Sequence, residues 1–346
     1  MNAFSWHDFR QKAARAPKKI LLADGEDPRV IKAAAFVHAE KIAHPVLLGS
    51  PSKIKPVWKQ YAESSLEPPC LDIQSLSSDA KERLVRALSG ITKYKALSST
   101  EAASLLNDTL ILGCLQLKLG AAEGFVGGAT RSTADTLRAA FSIVGLAPRV
   151  STLFGFFFIE RRMTAGTAGP LVLLADCAVI PDPSAKQLAH IAIGSAAAYE
   201  LLTGDEPHVA FLSFSTQGSA NHPLIEKVRQ ALSLAKEKAP ALQMAGEWQA
   251  DAALDFFAAK IKGVGDSPMA GKANVLIVPD LNCGNIAYKL VQRLGGCRAV
   301  GPVLWGLDRP ANDLSRGCTT EDVVDMIALT GIQAQIAVKP VELTEN

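Results

Sequence analysis

The sequence alternates short apolar runs with patterns of helical length, and this alternation is the feature that most constrains the fold. An apolar run over 20–23 is followed by a helical pattern over 29–41 and by a second apolar run over 45–48. Further helices are predicted over 79–88, 100–119 and 133–144, and a further strand over 124–127. Because strands joined by helices pair in parallel, the first part of the chain predicts an α/β domain with a mostly parallel sheet.

The chain has 346 residues, which predicts two domains, since a single core stops growing near ~250–300 residues. The pattern changes near Pro148, where two β-rich runs over 152–159 and 170–180 resemble a long hairpin. Alternation then resumes, with helices over 184–202, 223–238 and 284–294 and strands over 208–213, 273–279 and 298–303. We predict one α/β domain from residues 1–148 plus 304–346 and an inserted α/β domain from 149–303, with a small-molecule site in a cleft between them.

Composition excludes several classes of protein. The 36 Lys+Arg and 34 Asp+Glu residues leave a net charge of +2 and form no basic run, so nucleic acid is not an expected partner. No Cys-x-x-Cys pair indicates a zinc or redox site. The amino-terminal segment lacks an apolar stretch of signal-peptide type, and the apolar runs are shorter than the ~20 residues that span a bilayer. We therefore expect a cytoplasmic protein without a membrane partner.

Familiar cofactor signatures are also missing. The segment 265–273 has the wrong spacing for a nucleotide-binding loop, and Gly263-Val264-Gly265 lacks the third glycine of a dinucleotide fold. The chain contains neither a His-Glu-x-x-His helix nor a Gly-x-Ser-x-Gly elbow. The sequence therefore favours neither a nucleotide cofactor nor a metal.

A first candidate site lies at 127–138, where a strand end and a glycine pair lead into a helix start. Arg131 and Arg138 are able to make forked contacts with phosphate oxygens, beside Ser132, Thr133 and Asp135. The alternative interpretation is structural: Ser132 and Asp135 form a capping box, and the arginines are solvated.

A second candidate site lies at 312–322, again a loop that leads into a helix. It carries Ser315 and Arg316, with Asp322 seven residues after the serine. Thr319 and Asp322 also have the spacing of a capping box, so a structural role is open here too. Both segments would bring arginines and helix starts to one cleft, an arrangement suited to ligands that carry phosphate groups.

A third segment, 279–285, is another turn from a strand into a helix. Its Asn282 and Asn285 either cap that helix or contact a ligand. The residues leave both interpretations open.

Ordered motifs along the chain resemble the phosphate acetyl/butyryltransferase family, and within it the phosphate acetyltransferases (phosphotransacetylases). The resemblance runs from Ile20 to about Ala328. Its most specific segments are 24–30, 132–136, 175–179, 271–277, 279–286, 288–296 and 312–318.

The resemblance implies reversible acetyl transfer, acetyl-CoA + phosphate = acetyl phosphate + CoA, in acetate metabolism. It implies no cofactor, with coenzyme A as a substrate. It further implies a homodimer of two-domain subunits of the isocitrate/isopropylmalate dehydrogenase-like fold. Carried over by motif, the catalytic residues are Ser315, Arg316, Asp322 and Arg138.

The mechanism that we expect is direct transfer in a ternary complex. Asp322 accepts the CoA thiol proton, the thiolate attacks the acetyl carbonyl, and Arg316 and Arg138 hold the phosphate. Moving a proton from an ordinary thiol to an ordinary aspartate is uphill by roughly 6 kcal/mol. The site must therefore raise the pKa of Asp322 by desolvation, lower the pKa of the thiol through nearby arginine charge, or both, and we expect the arginines to contribute more. A nucleophilic Cys318, activated at a helix start, is the rival mechanism.

Two departures from the family pattern affect binding. Where many members have an Arg-Lys-His-Lys-Gly run that helps hold CoA, this chain has Thr92-Lys93-Tyr94-Lys95-Ala96, which puts those contacts in doubt. Arg131 replaces a histidine that is frequent before the Thr-Ala-Asp-Thr motif. It either strengthens phosphate binding or reaches solvent.

Three alternative functions stay open. A phosphate butyryltransferase would differ only in the volume of its acyl pocket. A non-catalytic acyl-CoA-sensing module would not need Ser315, Arg316 and Asp322. A dehydrogenase of the isocitrate type would need a cluster of metal-binding carboxylates that the sequence does not show.

Overall fold

A computed structural model describes residues 5–62, 67–161 and 171–336. The chain divides into two compact units. Ser5–Pro148 and the chain from Leu307 through the last described helix form one of them, which we call the terminal unit. Arg149–Gly306 forms the other, which we call the central unit. The boundary predicted at residue 303 would cut a strand that continues to Trp305.

The elements are numbered here in chain order. Those of the terminal unit before residue 149 are α1 (Trp6–Ala14), β1 (Lys19–Leu22), α2 (Pro28–Ala39), β2 (His44–Leu48), α3 (Pro51–Trp58), β3 (Cys70–Leu71), α4 (Ser78–Ser89), α5 (Ser99–Leu105), α6 (Thr109–Lys118), β4 (Gly124–Gly127) and α7 (Thr133–Ala139). Those of the central unit are β5 (Phe154–Glu160), β6 (Leu171–Ala175), α8 (Ala185–Thr203), β7 (His208–Leu212), α9 (Pro223–Lys238), β8 (Gln243–Trp248), α10 (Ala250–Leu254), α11 (Phe256–Ile261), β9 (Val275–Ile277), α12 (Leu281–Arg293) and β10 (Arg298–Trp305). The terminal unit is completed by β11 (Ala311–Asp313) and α13 (Thr320–Gln335).

The described strands of the terminal unit form one parallel sheet in the order β11-β4-β1-β2-β3. Ile20, Leu21 and Leu22 of β1 are all buried, as expected for a strand covered by helices on both faces. After β1 the chain enters α2 at Asp27, whose carboxylate caps the helix, and Pro28 occupies the first helical position. The predicted parallel α/β domain is confirmed for this part of the chain.

The described strands of the central unit form a second sheet in the order β10-β5-β6-β9-β7-β8. β5 pairs antiparallel with both β6 and β10, and the remaining pairs are parallel. The predicted hairpin-like pair after Pro148 is therefore confirmed as β5 and β6. The sheet is mostly parallel, as the alternation pattern predicts.

The single helix predicted over 100–119 is wrong, because the structure has two helices there. α5 ends at Leu105, and α6 begins after Asp108, whose carboxylate accepts a hydrogen bond from the Leu110 amide at 2.9 Å. An aspartate that caps a new helix interrupts an otherwise continuous apolar pattern. None of the helices within the described residues is long and apolar enough to span a membrane.

Candidate active site

Three loops of the terminal unit leave the sheet at the same edge. They follow β1, β4 and β11, which are neighbours in the sheet and run parallel. The carboxyl ends of parallel strands meet at one edge, which is where ligands bind in open α/β sheets. Because the last two loops contain Arg131 and Arg316, the structure brings the first two candidate segments together.

The loop after β4 is fixed from the loop after β1. The Asp24 carboxylate, 8% exposed, accepts hydrogen bonds from the backbone amides of Ala129 and Thr130, both at 3.0 Å. The Thr130 hydroxyl donates a further, short hydrogen bond to the same carboxylate. Hydrogen bonds to a buried carboxylate are stronger than those between neutral groups, so this loop has a defined shape.

Arg29 connects the loops after β4 and β11. Its guanidinium donates to the carbonyl oxygens of Arg316, Cys318 and Ala129, each at 2.9 Å. It also pairs with Asp27 at 2.8 Å, and this hydrogen bond raises the pKa of Arg29. One side chain therefore holds the two candidate loops through their backbones. Sequence reasoning missed this role, because the contacts join residues 287, 289 and 100 positions apart.

The start of α7 contains the residues of the first candidate segment. Ser132 is the N-cap residue: its hydroxyl accepts from the Asp135 amide at 3.2 Å and donates to the Asp135 carboxylate at 2.7 Å. The predicted cap by Ser132 is thus confirmed, but the bond from the Ser132 amide to Asp135 that would complete a capping box is absent among the described residues. Asp135 also pairs with Arg138 at 2.8 Å, and the hydrogen bonds from Ser132 and then Arg138 lower the pKa of Asp135.

The two arginines of this segment differ in their partners. Arg131 pairs with Asp108 at 2.8 Å, so it is not simply solvated. The side chain of Arg138 is 62% exposed, and Asp135 accepts from only one of its terminal nitrogens. Because a guanidinium carries five N–H groups, Arg138 keeps donors for an anion.

The loop after β11 presents the residues of the second segment. Ser315 and Arg316 are exposed, and the Ser315 hydroxyl accepts from the Gly317 amide at 3.3 Å. Within the parts of the chain that the structure describes, the Arg316 guanidinium has no hydrogen-bond or ion-pair partner. An exposed, unpaired arginine beside a second loop with arginines is suited to binding phosphate.

Asp322 lies in the first turn of α13 and forms a capping box with Thr319. Its Oδ2 accepts from the Thr319 amide at 2.8 Å and from the Thr319 hydroxyl at 2.9 Å. The structural interpretation is confirmed here also. Oδ1 of Asp322 accepts no hydrogen bond from any described residue, so one oxygen of the capping carboxylate is available to a proton donor.

Asp313 is a site residue that sequence reasoning missed. It is the last residue of β11, it is fully buried, and its Oδ2 accepts from the Thr133 hydroxyl at 2.7 Å. The Thr133 hydroxyl, predicted to contact substrate, is therefore engaged with Asp313. Burial raises the pKa of Asp313 to about 7, with the charge of Asp24 adding to the rise and the hydroxyls of Thr133 and Thr136 opposing it.

This raised pKa predicts a pH-dependent stability. Between about pH 4 and pH 7 the unfolded chain has released the Asp313 proton while the folded protein retains it. Stability from this group is therefore fully present below about pH 4 and is lost as the pH rises to about 7. Asp313→Asn removes this titration. The free energy of unfolding of the variant, relative to that of wild type, should therefore rise between about pH 4 and pH 7 and then level off. Urea unfolding at several pH values measures this difference. Asp79→Asn, at an exposed position in α4, is the control, and an equal trend in both variants would contradict the prediction.

Cys318 lies beside Arg29, with its Sγ 3.7 Å from the guanidinium. Burial raises the pKa of Cys318 to about 11, although Arg29 opposes this and Asp322 adds to it. The expectation that a helix start lowers the pKa of this thiol is wrong, because burial outweighs the positive charge nearby.

We therefore expect Cys318→Ala to retain near wild-type turnover. A thiol with so high a pKa is almost entirely protonated at neutral pH and is a weak nucleophile. Steady-state kinetics test this, and mass spectrometry after incubation with acetyl-CoA should find no acetyl group on Cys318. An inactive Cys318→Ala variant that is folded would restore the rival mechanism.

Asn282 and Asn285 lie in α12 of the central unit. Neither caps the helix, because Asp280 is the N-cap and accepts from the Cys283 amide at 2.9 Å. Asn285 donates to the Cys177 carbonyl at 3.3 Å and accepts from Lys289 at 2.7 Å. The capping interpretation is wrong, and contact with a ligand stays a prediction.

The segment 92–96, whose CoA contacts are in doubt, contains a short 3-10 helix at Thr92–Tyr94. The Lys93 ammonium donates to the Ser142 hydroxyl at 3.4 Å, and the Tyr94 hydroxyl lies 3.3 Å from the same oxygen. Ser142 belongs to a π-helical turn that directly follows α7. This segment therefore contacts the turn that continues the helix carrying Arg138.

A parallel α/β sheet whose edge loops carry free and singly paired arginines is the arrangement expected of a protein that binds phosphate-bearing ligands. The sequence profile described as "phosphate acetyl/butaryl transferase" matches residues 6–331, and the chain belongs to this family of transferases. It is 44% identical to the phosphate acetyltransferase of Thermoanaerobacterium thermosaccharolyticum over 94% of this chain and 98% of that protein.

Solved structures agree with this assignment. A phosphotransacetylase from Streptococcus pyogenes matches with a TM-score of 0.83 at 35% identity, covering 95% of this chain and 98% of that one. The EutD phosphotransacetylase from Staphylococcus aureus matches with a TM-score of 0.82 at 35% identity, covering 96% of this chain and 100% of that one. The fold is therefore that of the phosphotransacetylases.

Proposed function

We propose that this protein catalyses the reversible transfer of an acetyl group between coenzyme A and inorganic phosphate. The observation that carries the proposal is the meeting of two loops with arginines at one sheet edge, held together by Arg29. The family and its phosphate acetyltransferase members support the same reaction. Two N–H groups of an arginine match two oxygens of a tetrahedral phosphate, and the free guanidinium of Arg316 keeps its donors for such an anion.

We propose direct transfer. In the direction of acetyl-CoA synthesis, the CoA thiol gives its proton to Asp322 Oδ1, and the resulting thiolate attacks the carbonyl carbon of acetyl phosphate. The bond between that carbon and the phosphate oxygen then breaks, and phosphate leaves with the electron pair. Arg316 and Arg138 stabilise the charge on the leaving phosphate, and the Ser315 hydroxyl donates to the carbonyl oxygen.

The proton transfer needs help from the arginines. Between an unperturbed thiol and an unperturbed aspartate it is uphill by roughly 6 kcal/mol. Positive charge close to the sulfur stabilises the thiolate and reduces this difference. Arg316 is suited to this task because no carboxylate among the described residues neutralises it.

We propose that the reaction requires no cofactor and that coenzyme A is only a substrate. Arginine side chains at the sheet edge supply the positive charge that many phosphate-handling enzymes take from a divalent cation. We also propose a cytoplasmic enzyme that does not bind nucleic acid, since the net charge of +2 provides no field for a polyanion.

We propose a homodimer, as the resemblance implies. α12 of the central unit carries Ile286 and Leu290, and Leu294 directly follows its last residue. These apolar residues are four positions apart and are 55%, 51% and 83% exposed. Such a row of exposed apolar side chains is suited to a second copy of the chain. Light scattering should then give twice the 36.6 kDa mass of one chain, and a mass of one chain would contradict the proposal.

The test of the activity is the release of free thiol from acetyl-CoA when phosphate is added in the presence of a metal chelator. We expect release that depends on phosphate and is unaffected by the chelator. A higher rate with butyryl-CoA than with acetyl-CoA would assign the protein as a phosphate butyryltransferase. Binding of acetyl-CoA without thiol release would instead indicate a sensing module.

A further inference from the structure

A part-buried hydrogen bond joins the two candidate segments directly. The Thr133 hydroxyl donates to Asp313 Oδ2 at 2.7 Å. Thr133 is the first residue of α7, the helix that carries Arg138, and Asp313 is the last residue of β11, two positions before Ser315. The bond therefore joins the first turn of α7 to the end of β11, just before Ser315.

The surroundings of Asp313 leave it little freedom. Its Oδ1 is buried and has no hydrogen-bond partner in the described part of the chain. Gly128 packs against this oxygen with φ at +104°, and a Cβ added there would overlap it. A side chain confined in this way has few alternative positions, so the direction of its bond to Thr133 is fixed.

We propose that Asp313 is a positioning residue for phosphate binding, which acts by holding Thr133 and so fixes the first turn of α7 against the loop that carries Ser315 and Arg316. The inference rests on the proposed function. It identifies what keeps Arg138 in a fixed position relative to Arg316, since both side chains must reach the same anion.

Stability alone does not explain why a carboxyl group occupies this position. Burying an aspartate near Asp24, with one oxygen unpaired, opposes folding at neutral pH. Groups retained at such a cost are commonly found at functional sites. The neighbouring elements also carry charges, namely Asp24 after β1, Asp135 and Arg138 on α7, and Asp322 on α13.

The test uses Thr133→Val, which keeps the shape of the side chain but removes the hydroxyl. We expect the KM for phosphate to rise about tenfold while the KM for acetyl-CoA stays unchanged, because a displaced arginine weakens anion binding most. Thr133→Ser restores the hydroxyl and should recover most of the lost phosphate affinity. Thr109→Val is the matched control, since Thr109 is also the first residue of its helix, is also half-buried, and has no side-chain hydrogen bond within the described residues.

Asp313→Ala supplies the second arm. Asp313→Ala alone should raise the KM for phosphate as Thr133→Val does. The variant that combines Asp313→Ala with Thr133→Val should have a phosphate KM no higher than either single variant, because each of the three variants loses the same hydrogen bond. Thermal unfolding of each variant shows whether it is folded. Additive effects, an unchanged phosphate KM in Thr133→Val, or a loss confined to kcat would overturn the inference. A wild-type protein without phosphate-dependent thiol release would instead refute the proposed function itself.

Discussion

Replacing Asp322 by asparagine is expected to lower kcat by about 100-fold or more in the direction of acetyl-CoA synthesis. The carboxylate is the proposed acceptor of the thiol proton, and an amide cannot accept it. The cap survives, because the amide oxygen of asparagine still accepts from the Thr319 amide, so the fold should be retained. Initial rates of thiol consumption measure kcat, and circular dichroism confirms the helix content.

The control for this variant is a second capping box in the same unit. Glu101 has the equivalent position in α5, where its carboxylate accepts from the Ser98 amide at 2.8 Å and from the Ser98 hydroxyl at 2.7 Å. Glu101→Gln makes the same chemical change in a cap that carries no proposed chemistry, and we expect no change in kcat. Near-normal turnover of Asp322→Asn would remove Asp322 from the role of base.

Removing the guanidinium of Arg316 should lower kcat/KM for phosphate by about 100- to 1000-fold, the size of loss seen when a group that stabilises transition-state charge is deleted. The side chain is exposed and has no partner in the described regions, so Arg316→Ala leaves no buried charge unpaired. Its stability should therefore be close to that of wild type. Arg316→Lys keeps the positive charge but not the two parallel N–H donors of the guanidinium. Its kcat/KM for phosphate should lie between those of wild type and Arg316→Ala.

Arg83→Ala is the matched control for Arg316→Ala. Arg83 is likewise exposed, and among the described residues nothing pairs with its guanidinium. Its removal changes the net charge by the same amount, so any effect of overall charge on phosphate attraction appears in both variants. Equal kinetics of the two variants would show that Arg316 does not contact phosphate.

Much of the fold was predictable, because the elements that carry it are long and periodic. The helix predicted over 223–238 matches α9, and the strand predicted over 124–127 matches β4. β11 was not predicted, since Ala311, Asn312 and Asp313 do not read as a strand. It forms because the Asn312 amide is satisfied inside the protein, donating to Thr330 at 2.8 Å and Gln333 at 2.6 Å. Partners that come from a later helix leave no local signal.

The candidate site was predictable only in part, because some of its residues act through partners far away in the sequence. Residues at helix starts, such as Ser132 and Asp322, stand out because capping has a short and recognisable spacing. Asp313 and Arg29 act through contacts with distant segments, and spacing along the chain does not reveal them. A weak signal existed in the aspartate-rich turn before Arg29, whose Asp24 and Asp27 hold the sheet-edge loops and the arginine itself.

Arg29 also approaches the Sγ of Cys318 at 3.7 Å, but its three hydrogen bonds of 2.9 Å to the two neighbouring loops all go to main-chain oxygens. Every amino acid carries such an oxygen, so this clamp is indifferent to which side chains the loops bear. The backbone of the loops and the side chains that would act in the site are thereby separable: Ser315 or Arg316 could be exchanged for other residues without removing these contacts. A scaffold of this kind permits a new acyl group or a new anion to be accommodated by altering loop side chains alone.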